Sequence, residues 1–243
     1  EPVQTTRDPI TPAHTLAELA ATHAGASRVF HRHGLDFCCH GRVTLAAACV
    51  ERGLGIEPLI AELERETAGP GPRQRWGEKP LGELIDHILA RYHAVHRAQL
   101  PELIRMARRV EAVHRENPDV PRGLADFLEH MEQELLSHMM KEEQILFPIL
   151  KAGGNAFVVQ PIGMMRHEHV DHGEALERLA ALTHDATPPQ GACNTWRALY
   201  AGIAQLNEDL INHIHLENNV LFPQFETPQP AQAGSIADAY AAN

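Results

Sequence analysis

Two copies of one short motif carry the residues with the clearest chemistry. Each copy reads His-x-x-x-Glu-x-x-(Ile/Val)-Leu-Phe-Pro, one from His138 to Pro148 and the other from His213 to Pro223. On a helix, a four-residue step places the histidine and the glutamate on the same face, one turn apart. A solvated pair at this spacing contributes only about 0.2–0.5 kcal/mol and would explain one copy. It does not explain why the pair returns before the same apolar ending, whereas a shared role in binding metal would.

Four long amphipathic stretches must position these pairs. They cover residues 81–117, 123–151, 162–185 and 196–226, and Pro101 is expected to kink or divide the first. Their short connections favour an antiparallel four-helix bundle. The first and third helices offer His93 and His169, 76 residues apart, and the two motif pairs lie 75 residues apart. The bundle is therefore expected to consist of two hairpins, in which the single histidine of one helix completes the pair of the next.

The candidate metal ligands are four histidines and two glutamates: His93, His138, His169, His213, Glu142 and Glu217. This set has too few oxygen donors for calcium or magnesium, and the lack of thiolate donors argues against a structural zinc site. Two carboxylates can bridge a pair of ions about 3.5–4 Å apart. Nitrogen and carboxylate donors with open positions suit non-haem iron, so the set predicts two iron ions.

Spacing alone leaves some neighbouring residues open. Helices one and three each carry a second histidine three residues on, His96 and His172, and both members of each pair could face inward. Glu134 lies one turn before His138, and is either a carboxylate that orients an imidazole or relays protons, or a solvated helix residue. Glu143 is expected to point away from the centre.

Composition and charge exclude several classes of function. The formal net charge of −11 argues against a nucleic-acid surface and an anionic membrane surface. No run approaches about 18 apolar residues, so no transmembrane helix is expected. The low aromatic fraction and the scarcity of alternating β-branched residues predict an all-α fold. Four cysteines without a CxxC pair indicate a reducing compartment, and hence a cytoplasmic protein. Because the numbering starts at Glu1 and not at Met, whether a leader peptide was removed stays open.

A smaller helical domain is expected before the bundle. It covers residues 1–67, with Thr15 and Thr44 as N-caps, and residues 68–80 have the glycine and proline density of a linker. The bundle then spans residues 81–226, and residues 227–243 are expected to form a disordered tail.

Cys38 and Cys39 are adjacent in the small domain. Adjacent thiols rarely bridge without strain, so a structural disulfide is not expected. One interpretation is two small apolar core residues. The other is a pair of exposed, reactive thiolates in a turn, because Asp36 and His40 lie beside them. In that interpretation His40 lowers the pKa of a neighbouring thiol or adds a metal donor.

The chain resembles the Repair of Iron Centers family, whose second domain is a hemerythrin-like di-iron bundle. The resemblance covers nearly all of residues 15–225. Its most specific stretches are Asp36-Phe-Cys-Cys, Arg91-Tyr-His93, Ser137 to Pro148 and His213 to Pro223. Two residues depart from the family pattern, because Phe37 replaces the more usual Tyr and His40 occupies a position that is usually Gly.

The resemblance implies more about the site than spacing does. It implies that the six candidate ligands hold two non-haem iron ions bridged by Glu142, Glu217 and an oxo or hydroxo group. It favours His93 and His169 over the second histidine on each helix. It also implies that the Cys38-Cys39 pair handles iron or nitrosyl groups.

By the same resemblance, the protein helps to restore iron-sulfur clusters damaged by nitrosative or oxidative stress. It would bind or reduce nitric oxide, or donate iron, with damaged iron-sulfur proteins as partners and nitric oxide or dioxygen as small ligands. Whether it is an enzyme of the nitric oxide reductase type stays open, and so does its oligomeric state, a homodimer included. The alternative is a hemerythrin-type carrier or sensor that binds dioxygen or nitric oxide reversibly, without turnover.

Overall fold

The computed structural model describes residues 9–68 and 75–226, and all regular structure in these ranges is helical. The chain divides into two compact units between Glu78 and Lys79. This confirms the all-α prediction. The predicted tail at 227–243 and residues 69–74 of the predicted linker lie outside the described residues. None of the helices in the described ranges is long and apolar enough to cross a bilayer.

The first unit packs four short helices around an aliphatic core. They are α1 (Leu16–Thr22), α2 (Ala26–Arg32), α3 (Leu45–Arg52) and α4 (Ile56–Glu66), followed by a 3₁₀ turn at Trp76–Glu78. Thr15 and Glu18 form a capping box at the start of α1, and the Thr44 hydroxyl accepts from the backbone of Ala47 at the start of α3. The fully buried side chains at the centre include Leu16, Leu19, Phe30, Leu45 and Leu63.

The second unit is the four-helix bundle. Its first helix is α5 (Leu81–Ile88), a π-helical segment (Leu89–His93) and α6 (Ala94–Val113). Its second is α7 (Leu124–Lys141), a π segment (Glu142–Leu146) and α8 (Phe147–Lys151). The third is α9 (Val159–Leu182), and the fourth is α10 (Asn194–His215), a π segment (Leu216–Leu221) and a 3₁₀ turn (Phe222–Phe225). Helix α6 packs against α7 and α10, and α7 also packs against α9.

Pro101 was expected to kink or divide the first helix, and it does not divide it, because α6 continues through it from Ala94 to Val113. Leu100, Leu103 and Ile104 around it are buried, and their packing offsets the roughly 3 kcal/mol that an internal proline costs. Pro148 does not end the second helix either, since it occupies the first turn of α8, where a missing N–H is tolerated.

Gly154 connects the second and third helices and has no room for a side chain. Its φ of +75° lies in the left-handed region, and a Cβ there would lie 2.7 Å from Cδ1 of Phe225. We expect Gly154→Ala to lower the free energy of unfolding by about 2–5 kcal/mol, because left-handed strain and overpacking add together. Denaturant titration measures this loss.

Gly153 offers the matched control. Its φ is +101°, yet a Cβ there would meet nothing within 4 Å. Gly153→Ala should therefore lose only the backbone contribution, about 1–2 kcal/mol. Equal losses in the two variants would mean that Phe225 moves aside at no cost.

Candidate metal centre

The six predicted ligands lie together in the centre of the bundle. Each is at most 1% exposed, although all six carry polar or charged side chains. They come from all four helices of the bundle, so the centre forms only when the helices pack. The residues are His93, His138, Glu142, His169, His213 and Glu217. That these side chains bind metal stays a prediction.

The six side chains form two groups that share both glutamates. One group is His93, His213, Glu142 and Glu217, and the other is His138, His169 and the same two glutamates. Within each group, one ligand atom from every residue lies within 4.8 Å of the others. We call these groups the first and the second half-site.

Each glutamate directs its two oxygens into different half-sites. Oε2 of Glu142 lies 3.1 Å from Nε2 of His93, and its Oε1 lies 3.1 Å from Nε2 of His138. Oε1 of Glu217 lies 2.7 Å from Nε2 of His213, and its Oε2 lies 2.9 Å from Nε2 of His169. Such an arrangement suits two cations, each held by two imidazoles and one oxygen from each carboxylate.

The hydrogen-bond inventory of the centre also fits cations. Both oxygens of Glu142 and Oε2 of Glu217 are buried without a hydrogen bond, although imidazole nitrogens lie nearby. Burying carboxylate oxygens without donors is costly, and a positive ion between them removes that cost. Four nitrogen donors and two carboxylates match the preferences of non-haem iron.

The expected pairing within the hairpins was wrong. The structure places His93 beside His213, with 3.2 Å between their Nε2 atoms, and His169 beside His138, with 3.1 Å. Each single histidine thus meets the histidine of the other hairpin. Helix packing explains this, because α6 lies against α10 and α7 lies against α9.

The outward-facing nitrogen of each candidate ligand also has a partner. Nδ1 of His93 donates to Glu143 at 2.8 Å, and Nδ1 of His138 donates to Glu168 at 2.7 Å. Nδ1 of His169 lies 2.6 Å from the side-chain oxygen of Asn218. Such contacts fix the imidazole tautomer and direct Nε2 to the centre. Glu143 lies outside both half-sites, but its contact with His93 was missed, as were Glu168 and Asn218.

The second histidines on helices one and three occupy outer positions. His96 places Nε2 3.1 Å from Nδ1 of His213. The ring of His172 meets the ring of His138 edge-on, with 5.0 Å between the centroids. Neither belongs to a half-site. Glu134 is exposed and lines a groove between α7 and α9, next to His172.

Phenylalanine rings cover two of the candidate ligands. Phe147 stacks on His93 with 5.7 Å between ring centroids, and Phe222 stacks on His169 with 5.9 Å. Both phenylalanines come from the Leu-Phe-Pro endings of the repeated motif. These apolar walls keep water away from the histidines and lower the local dielectric.

The buried histidines and glutamates of the centre shift one another's pKa values. Burial alone would lower the pKa of His93 and His138, but the buried carboxylates of Glu142 and Glu217 raise both to about 10. Burial would raise the pKa of Glu217, yet the surrounding histidines hold it well below its usual value. Without metal, protons on these histidines balance the carboxylate charge.

Cys38 and Cys39 lie in the loop between α2 and α3 of the first unit. Asp36 Oδ1 accepts from the backbone N–H of both cysteines, at 3.2 and 3.0 Å, and His40 Nδ1 lies 2.6 Å from Asp36 Oδ2. The two sulfur atoms are 3.8 Å apart, and no disulfide joins them. Asp36 thus holds the loop so that the thiols lie side by side.

Of the two interpretations of the cysteine pair, exposed thiolates do not describe Cys38. Its side chain is buried, and the contact with Cys39, together with burial and the Asp36 charge, raises its pKa well above the usual value. Cys39 is half-buried. A ligand that binds the Cys38 sulfur as a thiolate must therefore displace a proton.

Each of the two units matches the model of a known domain family. Residues 84–225 match the model of the hemerythrin HHE cation binding domain. Residues 13–67 match the ScdA_N model, described as a domain of unknown function (DUF542).

Full-length relatives extend the match over both units. The iron-sulfur cluster repair protein YtfE of Pectobacterium carotovorum is 49% identical over 210 residues, which cover 86% of this chain and 95% of that protein. YtfE of Escherichia coli O157:H7 is 49% identical over 209 residues, with 86% and 94% covered. The chain therefore belongs to the family of YtfE iron-sulfur cluster repair proteins and carries that family's hemerythrin HHE domain.

Proposed function

We propose that this protein repairs iron-sulfur clusters damaged by nitrosative or oxidative stress, using two non-haem iron ions held in its bundle. The observation that carries the proposal is the pair of buried glutamates that each direct one oxygen into each half-site. Family membership supports the repair role, because the relatives are named for it. Damaged iron-sulfur proteins are the partners that this role requires.

The residues of this chain would divide the work of holding iron. Each ion would take two imidazoles and one oxygen from each of Glu142 and Glu217, and an oxo or hydroxo group would complete the bridge. Glu143, Glu168 and Asn218 would keep the Nε2 lone pairs of their histidines directed inward. When bound, iron supplies redox chemistry and an open position for nitric oxide or dioxygen.

The loop with Cys38 and Cys39 is proposed as a point of transfer for iron or nitrosyl groups. Two sulfur atoms 3.8 Å apart can approach one soft ion or one electrophile together. Asp36 fixes their position through two backbone N–H groups, so the sulfur atoms stay side by side, and Cys39 is the more accessible of the two.

Two different chemical steps would serve this repair role. Reduction of nitric oxide at the iron centre and donation of iron are both compatible with this set of ligands, and only the first makes the protein an enzyme in its own right. A reducing cytoplasm fits four cysteines that form no disulfide. A reversible carrier of dioxygen or nitric oxide needs no cysteine pair, which is why we rank it second.

A repair assay tests the proposal. Iron-loaded protein is added to an enzyme whose iron-sulfur cluster has been damaged by nitric oxide, and recovery of that enzyme's activity is followed. We expect recovery with the wild type. The Cys38→Ser/Cys39→Ser variant should keep its iron, because the cysteines lie outside the bundle, but recovery should fall at least about tenfold if the thiols carry the transferred group.

The Cys49→Ser variant is the matched control, since Cys49 is a free thiol of the same unit outside the loop. It should repair as the wild type does. Undiminished repair by the double variant would remove the thiols from the proposal. Reversible dioxygen binding, with neither repair nor consumption of nitric oxide, would favour the carrier.

A further inference from the structure

His213 differs from the other three candidate ligands in the partner of its outward nitrogen. The Nδ1 atoms of His93, His138 and His169 meet side-chain oxygens, which can only accept a hydrogen bond from an imidazole. The Nδ1 atom of His213 meets Nε2 of His96 at 3.1 Å. A neutral imidazole nitrogen can donate or accept, so this contact alone does not fix the tautomer of His213.

The other end of His96 meets a second polar side chain. Nδ1 of His96 and Oε1 of Gln99 are both buried without a hydrogen-bond partner. The two residues lie three positions apart on one face of α6, and Gln99 is placed to act as a hydrogen-bond acceptor for His96. A hydrogen bond between these two atoms would satisfy both.

Asp209 determines which way the Gln99 amide faces. Its carboxylate is 2% exposed and accepts from Arg91 at 2.8 Å, Gln99 at 2.8 Å and Gln205 at 3.0 Å. Since a carboxylate only accepts, the amide nitrogen of Gln99 must face Asp209, and its oxygen is left for His96.

We propose that Asp209 and Gln99 are positioning residues that act through His96 to set the tautomer of His213. The direction of each hydrogen bond follows from Asp209, because its carboxylate can only accept. Gln99 donates to Asp209, His96 Nδ1 donates to Gln99, and His213 Nδ1 donates to His96 Nε2. When a cation occupies the first half-site, Nε2 of His213 then offers it a lone pair, whereas without the cation the same nitrogen donates to Oε1 of Glu217 at 2.7 Å.

The relay makes the two half-sites unequal. In the second half-site, both histidines meet an oxygen acceptor directly, whereas in the first only His93 does, and His213 reaches its acceptor through the imidazole of His96. A change at Gln99 should therefore weaken only the ion of the first half-site. Because the inference concerns metal binding, it rests on the proposed function.

Two glutamines on the same carboxylate provide the test. Gln99→Met removes the amide that faces His96, and Gln205→Met removes an equivalent donor to Asp209 that lies away from His96. Full-length variants are loaded with ferrous iron and challenged with a ferrous chelator, and the melting temperature of the metal-free protein is measured. Gln99→Met is expected to release one of two irons about tenfold more readily than Gln205→Met, the low end for partners of metal ligands.

A second pair separates orientation from packing. His96→Gln supplies an amide oxygen, the group that Asn218 offers to His169, and should retain most of the iron. His96→Leu should lose one iron. Equal iron retention in Gln99→Met and Gln205→Met would overturn the relay, as would a loss matched by a lower melting temperature of metal-free Gln99→Met alone. A wild type that binds no iron would overturn the proposed function as well.

Discussion

Glu142→Gln is expected to empty both half-sites. The two oxygens of Glu142 each lie 3.1 Å from a histidine nitrogen, one in each half-site. An amide keeps only one oxygen, carries no charge and turns an NH₂ group toward one of the ions, so neither half-site keeps its ligand set. Iron content per chain should fall from about two to near zero. Elemental analysis after anaerobic loading measures this directly.

The neighbouring residue gives a control for this variant. Glu143→Gln makes the same change from carboxylate to amide, but outside the half-sites. In the wild type, Glu143 accepts from Nδ1 of His93. It should weaken iron binding by about 10- to 100-fold without emptying the centre at saturating iron. If Glu142→Gln retained one iron, Glu142 would serve a single half-site, and the proposed bridge would be wrong.

Affinity for ferrous iron is expected to rise with pH. The pKa of His93 and of His138 is about 10 in the metal-free protein, where burial is outweighed by the carboxylates of Glu142 and Glu217. Both rings are therefore protonated at neutral pH, and an ion must displace that proton. One such histidine lies in each half-site, so the affinity for each ion should rise about tenfold per pH unit up to roughly pH 10.

Proton release provides a direct measurement. Calorimetric titrations at pH 7 in two buffers of different ionisation enthalpy should show about two protons released per chain loaded. His93→Gln should release about one fewer. Binding without proton release would show that both histidines are already neutral, contrary to the charge balance that we infer.

Much of the centre could be predicted because it is local in the sequence. The His-x-x-x-Glu pairs need only helix geometry to place their side chains together, and their repetition argues against a solvated surface pair. The choice of His93 over His96 was different, because a three-residue step on one helix does not decide which ring reaches the centre. The family resemblance supplied that choice.

What could not be predicted depends on contacts between helices. Glu168 lies 30 residues from His138, and no local spacing connects them. The partnership of His93 with His213 requires knowing that α6 packs on α10. The contact of Glu143 with His93 was missed because we assumed a regular α-helix, whereas a π segment begins at Glu142 and changes the direction of the following side chains.

The π segments explain why a phenylalanine five residues after each motif glutamate can lie over the metal centre. Phe147 and Phe222 each follow a motif glutamate by five residues, and in a regular α-helix five steps rotate a side chain by about 140° from where it started. A π turn closes after five residues and brings the phenylalanine back over the glutamate's side of the helix. The motif thus contains two periods in series, four residues from histidine to glutamate and five from glutamate to phenylalanine. Deleting one residue between the last two would leave a four-residue spacing, which a regular α-helix also places on one face, so the phenylalanine should stay over the site while the π turn is lost.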